Sequence, residues 1–165
     1  MANARSMAAT GRLPSRRGAR GDVRAGAPPG HLRGELPRAP IDRLLGIRLL
    51  EAEAGRVVFA MPASGWLSQE YGAVFGGAIA LLGMSASSAA VQTTAERGTG
   101  FAALDMKINL LRPVHPDGQQ LVATGTVLHR GRRLAIGTSE VRHRGRLVAV
   151  VTGTTELTPA AEPVA

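Results

Sequence analysis

Residues 72–92 read GAVFGGAIALLGMSASSAAVQ, a stretch that contains no charged side chain. Helix-forming residues follow a glycine pair, and the small residues are spread over every face of the predicted helix. A segment of this kind is either a membrane span or a helix that protein surrounds on nearly all sides. The sequence on either side of it decides between these two alternatives.

The flanking sequence predicts six β-strands separated by turn signals. A short helix with Pro40 as its first residue is predicted at 41–45 and ends at Gly46. Two strands precede the long helix, which is predicted at about 73–93, and four strands follow it. Their predicted bounds are 47–53, 56–61, 101–111, 121–129, 134–143 and 147–157. Because short turns join consecutive strands, the strands should be antiparallel.

These elements favour a buried helix over a membrane span. The length of the uncharged segment would suit a bilayer, but Gly76, Gly77 and Gly83 interrupt it and no aromatic belt flanks it. A membrane helix would also leave six strands with nothing to pack on. The sequence therefore predicts an α+β fold without a membrane span, in which an antiparallel sheet wraps round one long apolar helix.

The net charge of +8 lies mostly near the N-terminus. Residues 1–40 hold eight Arg and two acidic residues, so residues 41–165 carry only +2. Residues 1–39 are rich in Gly, Pro, Ala and Arg without a period, which favours a disordered, solvated tail. A transit peptide and a nucleic-acid-binding tail are weaker alternatives, and no nucleic-acid partner is expected because no aromatic residues accompany the arginines. The predicted organisation is a tail at 1–39, a domain at 40–158 and a tail at 159–165.

No cofactor or metal is expected from the residue types present. The chain has no cysteine, and its four histidines (His31, His115, His129 and His143) fall in the tail, a turn and strand ends without ligand spacing. Neither a phosphate loop nor a dinucleotide fingerprint is found. No secretory signal is visible, so a cytoplasmic location is expected.

Three segments of the chain resemble the hotdog-fold acyl-CoA thioesterases of the PaaI-like and 4-hydroxybenzoyl-CoA-thioesterase-like group. Gly72-Ala-Val-Phe-Gly-Gly77 matches the family's Gly-x-x-His-Gly-Gly at the helix start. The segment from Ala103 to Pro113 matches its long strand, which ends in Arg-Pro, and residues 129–149 match its last hairpin. The resemblance implies a homodimer, or a tetramer of such dimers, in which two sheets join edge to edge and acyl-CoA or acyl carrier protein thioesters bind at the interface.

The resemblance also implies that the thioester carbonyl lies at the start of the long helix. The first N–H groups of a helix have no partner within the helix, and the helix dipole favours negative charge there. Gly76 and Gly77 are therefore predicted to polarise the carbonyl and to stabilise its oxyanion. The alternative is that this glycine pair only permits close packing of the helix on the sheet.

The family's other polar groups are altered in this chain. The motif histidine is replaced by Phe75, and the carboxylate expected nine residues later is replaced by Met84. The family's frequent Asn is Gln69, and Ala103 stands where a Ser or Thr is common. We assign Gly72, Phe75 and Met84 to substrate binding, and Gln69 to orienting water or the carbonyl.

Two hypotheses explain the missing carboxylate. In the first, the protein is a thioester hydrolase whose base comes from elsewhere, and Glu70 is the nearest carboxylate in sequence. Ser85, Ser87 and Ser88 have no evident basic partner. In the second, the protein binds an acyl thioester or another apolar ligand without hydrolysing it, with Phe75 and Met84 making the site more apolar.

Two further groups are candidates for contacts with the substrate. Asp105 matches an often acidic position on the family's long strand and is predicted to be structural or to support the site. Arg130, Arg132 and Arg133 form a basic turn that suits the phosphates of coenzyme A. The alternative for the turn is a charged hairpin that keeps a sheet edge from aggregating.

Overall fold

The computed structural model describes residues 39–96 and 98–158 of the chain. Apart from Ala39, the predicted tails at 1–39 and 159–165 lie outside the described residues. The elements, in chain order, are helix α1 (Pro40–Leu45), strands β1 (Arg48–Glu53) and β2 (Arg56–Pro62), a 3₁₀ helix (Gly65–Leu67), helix α2 (Gly76–Gln92) and strands β3 (Gly100–Leu110), β4 (Gln120–Arg130), β5 (Leu134–His143) and β6 (Arg146–Thr158). The predicted strands and both α-helices are thus present, with shifts of one to three residues at their ends.

The six strands form one antiparallel sheet in the order β1-β2-β4-β5-β6-β3. Strands β1 and β3 are therefore its edges. Helix α2 packs on one face of the sheet, mainly against β4, β5, β6 and β2. The prediction of a six-stranded antiparallel sheet round one long helix is confirmed. Among the described residues, no helix is long and apolar enough to cross a membrane.

Small residues allow α2 to lie very close to the sheet. A Cβ at Gly137 would stand 2.6 Å from the carbonyl oxygen of Ser87, and a Cβ at Gly125 would overlap the carbonyl of Ala86. The hydroxyl of Ser139 donates a hydrogen bond of 2.8 Å to the carbonyl oxygen of Gly83. The glycines of β4 and β5 are thus required by the approach of the helix backbone, which fixes α2 relative to the strands.

The sheet does not cover every face of α2. Gly77 is exposed, and four further residues at helical spacing, Leu81, Met84, Ser85 and Ser88, are half-buried. Residues at these intervals lie on one stripe of a helix, and the buried residues of α2 lie on its other faces. The described residues therefore leave one mostly apolar stripe of α2 open, which refines the prediction of a helix enclosed on nearly all sides.

Strand β3 is also largely uncovered. Ten of its eleven residues are exposed, and Ile108 is half-buried. Ile108 pairs with Val151, whose side chain faces Gly83 of α2, so Met106 and Leu110 lie on the same inward face by alternation. Their exposure, 40% and 53%, shows that α2 covers this part of the sheet only partly.

Candidate active site at the start of the central helix

The segment that leads into α2 is a tight turn closed by backbone hydrogen bonds. Ser68 and Val74 form an isolated antiparallel bridge, and the N–H of Gln69 donates to the carbonyl of Ala73 at 2.8 Å. Gly72 closes the turn with φ 76°, a left-handed conformation that favours glycine. The structure thus gives Gly72 a role in the turn and leaves Glu70 exposed at its tip.

Two further hydrogen bonds fix the start of α2. The N–H of Phe75 donates to the carbonyl of Leu67 at 2.7 Å, and the N–H of Val74 donates to the carbonyl of Val114 at 2.8 Å. The first hydrogen bond connects the helix start to the 3₁₀ helix, and the second connects it to the segment between β3 and β4. Phe75 is therefore held in an extended conformation, φ −60° and ψ 128°, immediately before the helix.

The first two N–H groups of α2 are free to bind a ligand. Ala78 N–H already donates to the carbonyl of Phe75 at 3.0 Å, and Phe75 provides no side-chain cap. Within 39–96 and 98–158, no acceptor is found for the N–H of Gly76 or of Gly77. Two unpaired donors at the positive end of a helix dipole form a site for an oxyanion or a polarised carbonyl.

Two apolar grooves meet at this helix start. The first, which we call the tryptophan groove, has a volume of about 410 Å³ and is lined by Ile41, Leu45, Trp66, Ser68, Ala78 and Leu81 among others. The second, which we call the β3 groove, has a volume of about 610 Å³ and is lined by Ala73, Ile79, Ile108, Leu110, Arg112 and Pro113 among others. Gln69, Phe75 and Gly77 line both grooves. The free donors therefore lie where the two grooves join.

The two glycines also make room for large apolar side chains. A Cβ at Gly77 would overlap the ring of Phe75, and a Cβ at Gly76 would stand 2.7 Å from Cδ1 of Leu110. The glycine pair therefore serves close packing, the alternative that we set against a role in the reaction. Packing and donation are compatible here, because the side-chain contacts leave both N–H groups unpaired.

The walls of the two grooves lack a group that could act as an acid or a base. Among the described residues that line them, Arg112 is the only charged one, and there is no Asp, Glu, His or Lys. Glu70, the predicted replacement base, lies at the tip of the turn and lines neither groove. Gln69, in contrast, lines both grooves, as Gly77 does.

Met84 lies on the open stripe of α2, about one turn beyond Leu81 and away from the groove walls. The hydroxyl of Ser87 donates to its carbonyl at 3.0 Å, which is a local helix contact. Within a single chain, therefore, a side chain at position 84 faces outward beside the tryptophan groove and not into it.

Asp105 has a structural role in the sheet. It follows a β-bulge in β3, and its Oδ1 accepts a hydrogen bond of 3.1 Å from the N–H of Thr154 on β6. It lies on the face opposite to α2 by alternation from Ile108. The structure therefore does not bring Asp105 to the helix start.

The basic turn lies at the other end of the helix. The carbonyl of Arg133 accepts a hydrogen bond from Leu157, which packs with Val91 near the end of α2. Fifteen helical residues separate Val91 from Gly76, a length of about 22 Å. Within a single chain, therefore, the free donors are not reached by Arg130, Arg132 or Arg133.

The sequence alone did not identify several of the residues that line the two grooves. Trp66 is the only tryptophan of the chain and is 82% exposed beside the tryptophan groove. A lone tryptophan in a predicted loop was a usable signal, since large aromatic side chains at the surface often mark binding sites. Ile41, Leu81 and Leu110 carried no such signal, because apolar residues on a helix or strand predict core packing.

Known proteins resemble this chain over the same elements. The family model described as "Thioesterase superfamily" matches residues 71–150. A solved structure of a mutant of the phenylacetic acid degradation protein PaaI from Thermus thermophilus is 30% identical, has a TM-score of 0.66 and covers 72% of this chain and 98% of that chain. A thioesterase family protein from Silicibacter pomeroyi is 26% identical, with a TM-score of 0.70 and coverage of 78% and 96%.

The likeness in fold extends to a more distant structure. The PaaI protein from the phenylacetic acid degradation operon of E. coli is 22% identical, has a TM-score of 0.71 and covers 80% of this chain and 92% of that chain. No protein among the curated sequences matches the chain.

Proposed function

This chain belongs to the hotdog-fold thioesterase superfamily, and from that premise we propose that it hydrolyses an acyl thioester held at the start of α2. The observation that carries the proposal is the pair of unpaired N–H groups at Gly76 and Gly77, placed where two apolar grooves meet. The substrate is an acyl-coenzyme A or the thioester of an acyl carrier protein.

The reaction requires stabilisation of one developing charge. When water attacks the thioester carbonyl, the oxygen becomes an oxyanion, the carbon–sulfur bond then breaks, and the thiol leaves with a proton. Donors fixed before the reaction stabilise this charge without reorganisation, and one such donor is worth about 10²- to 10³-fold in rate. Gly76 and Gly77 supply two donors, and the amide of Gln69 beside them can orient the attacking water.

The two grooves suit the two arms of a thioester. The tryptophan groove is lined by large apolar side chains, among them Ile41, Leu45 and Leu81, and takes the acyl group in our proposal. The β3 groove ends near Arg112 and takes the thiol arm, which continues to the phosphates of coenzyme A. With this orientation the carbonyl lies at the junction of the grooves, beside the free donors.

We propose that the site is completed by a second copy of the chain. Strand β3 is an unpaired edge with exposed apolar side chains, which is a surface that pairs readily with another strand. The open stripe of α2 with Leu81 and Met84 would also be covered by a partner. Antiparallel pairing of the two β3 strands would give a homodimer with one continuous sheet.

A second candidate function follows from the composition of the groove walls. Since the described residues of both grooves include no acid or base, and Met84 stands at the family's carboxylate position, the donors would polarise the carbonyl without a group to activate water. A protein of this kind would bind acyl thioesters and release thiol very slowly. General-base catalysis contributes about 10²- to 10⁴-fold, so the two candidates differ by a measurable rate.

Thiol release from acetyl-, hexanoyl- and benzoyl-CoA separates these functions. We expect release above the spontaneous rate with at least one of them, and an unchanged rate for Glu70→Ala because Glu70 lies outside the grooves. Binding in calorimetry without thiol release would establish the second candidate. Neither binding nor release, with these substrates and with hexanoyl carrier protein, would contradict the proposal.

A further inference from the structure

The carboxylate of Asp117 connects the segment between β3 and β4 to the turn between β5 and β6. Asp117 precedes β4, and its Oδ1 accepts the N–H of Gln119 at 2.9 Å and lies 3.1 Å from Nε2 of His143. Its Oδ2 accepts a hydrogen bond of 2.7 Å from Nε of Arg144 and lies 2.6 Å from a terminal nitrogen of the same guanidinium. We call this group, Asp117 with Gln119, His143 and Arg144, the Asp117 clasp.

These contacts stabilise the charged form of the carboxylate. The N–H of Gln119, followed by His143 and Arg144, lowers the pKa of Asp117 from 3.8 to about 2. Two nitrogens of the Arg144 guanidinium contact the same oxygen, Oδ2, and such charge-assisted contacts are stronger than those between neutral groups. The carboxylate of Asp117 is thus ionised over the whole physiological pH range.

Arg144 adopts a conformation that arginine rarely accepts. It has φ 50°, and the following Gly145 has φ 75°, so both central residues of the turn between β5 and β6 have positive φ. Turns of this kind favour Asn, Asp or Gly at the first central position, because a longer side chain costs about 1 kcal/mol there. The guanidinium contact with Asp117 offsets that cost, which indicates a role for Arg144 beyond the turn itself.

The segment that the clasp holds supports the helix start. Within it, the carbonyl of Val114 accepts the N–H of Val74, two residues before Gly76, and the N–H of Gly118 donates to the carbonyl of Ala63 at 2.9 Å. Arg112, Pro113 and Val114 are wall residues of the β3 groove. A restraint at Asp117 is therefore connected through one short segment to a groove wall and to the free donors.

We propose that Asp117 and Arg144 are positioning residues, which fix the wall of the β3 groove and the start of α2 through the segment 112–118. The part of this claim that concerns a ligand rests on the proposed function. The part that concerns the protein alone is independent of it, because the restraint on Val74 and Val114 is a property of the free protein.

The variant Arg144→Asn tests the claim without harming the turn. Asparagine is well suited to the positive φ at this position, so the hairpin should fold at least as well as before. The matched control is Arg146→Asn on the same hairpin, where an exposed arginine is removed outside the clasp. Asp117→Asn opens the clasp from its other side and should reproduce the effect of Arg144→Asn.

Hydrogen exchange of the free protein is the first measurement. We expect Arg144→Asn to accelerate exchange in peptides that cover 72–78 and 112–118 by about tenfold, and to leave peptides that cover 48–62 unchanged. Faster exchange confined to 115–119 and 143–147, with 72–78 as in the wild type, would overturn the proposal. This measurement needs no substrate, so it tests the positioning role of the Asp117 clasp even if the protein hydrolyses no thioester.

Steady-state kinetics with hexanoyl-CoA is the second measurement, with calorimetry of the same compound if turnover is absent. We expect KM or Kd to rise about fivefold in Arg144→Asn because the groove wall loosens, and kcat to fall as well because the start of α2 that carries the donors loosens with it. A role in stability alone would lower the melting temperature and the active fraction and leave KM unchanged. That result, or equal values for Arg144→Asn and Arg146→Asn, would overturn the proposal.

Discussion

The ring of Phe75 lies against Gly77, in the space that a Cβ at this glycine would fill. Phe75 is 56% exposed, and it forms part of the wall of both grooves. The thioesterase family whose motif this segment resembles has a histidine at this position. Here the side chain beside the two free N–H groups is an apolar surface, which favours contact with a ligand over proton transfer.

Replacing Phe75 should therefore weaken binding more than it slows the reaction. Burying an aromatic side chain against a ligand contributes about 1.5–3 kcal/mol, so Phe75→Ala should raise KM for hexanoyl-CoA about tenfold or more. Tyr71→Ala is the matched control, because Tyr71 is 83% exposed at the turn tip and lines neither groove. A loss of kcat with unchanged KM in Phe75→Ala would contradict this role.

A carboxylate at position 84 should accelerate hydrolysis. Met84 is half-buried on the open stripe of α2, so an acidic side chain is tolerated there. This side chain faces outward from the grooves of its own chain, so a carboxylate there reaches a thioester only across the proposed dimer interface. If it does, and if the missing base limits the rate, Met84→Asp should increase kcat for thiol release by at least about tenfold. Met84→Asn has the same shape without the charge and should not gain. An equal gain in both variants would show that the effect is not general-base catalysis.

The exposed inward face of β3 should be the dimer interface. Met106→Glu places a charge on this face and should convert a dimer into a monomer in analytical ultracentrifugation, because burying an unpaired charge is costly. Thr126→Glu adds the same charge at an exposed position on β4, away from this edge. A monomeric wild type, or a dimer that survives Met106→Glu, would disprove edge-to-edge assembly.

The elements of the fold were predictable because their sequence patterns are local. The uncharged helix, the turn glycines and the alternation in the strands place each element within a few residues. The site was predictable only in part, since Gly76, Gly77 and Gln69 lie at or close to the helix start in the sequence. Trp66 and Leu110 come from distant segments, and only tertiary packing brings them beside Gly77. The position of the basic turn at the far end of α2 likewise depends on strand order, which no local pattern encodes.

The pKa of Asp117 predicts how the clasp responds to acid. Because the pKa in the folded protein is lowered to about 2 from 3.8, the ionised carboxylate stabilises the fold above about pH 4, and this contribution is lost as the pH falls towards 2. The melting temperature of Asp117→Asn should therefore lie below that of the wild type at neutral pH, and the gap should close between about pH 4 and pH 2. A gap that stays constant in acid would show that Asp117 does not act through its charge.

The most direct test of the central claim compares Gly76→Pro with Gly76→Ala in thiol release from hexanoyl-CoA. Proline removes the N–H donor, is well suited to the first position of a helix and is compatible with the extended conformation of Phe75. Alanine adds the same Cβ beside Leu110 and keeps the donor. We predict that Gly76→Pro lowers kcat by about 100-fold or more and that Gly76→Ala stays close to the wild type. Equal rates in the two variants would contradict the claim that the start of α2 stabilises the oxyanion.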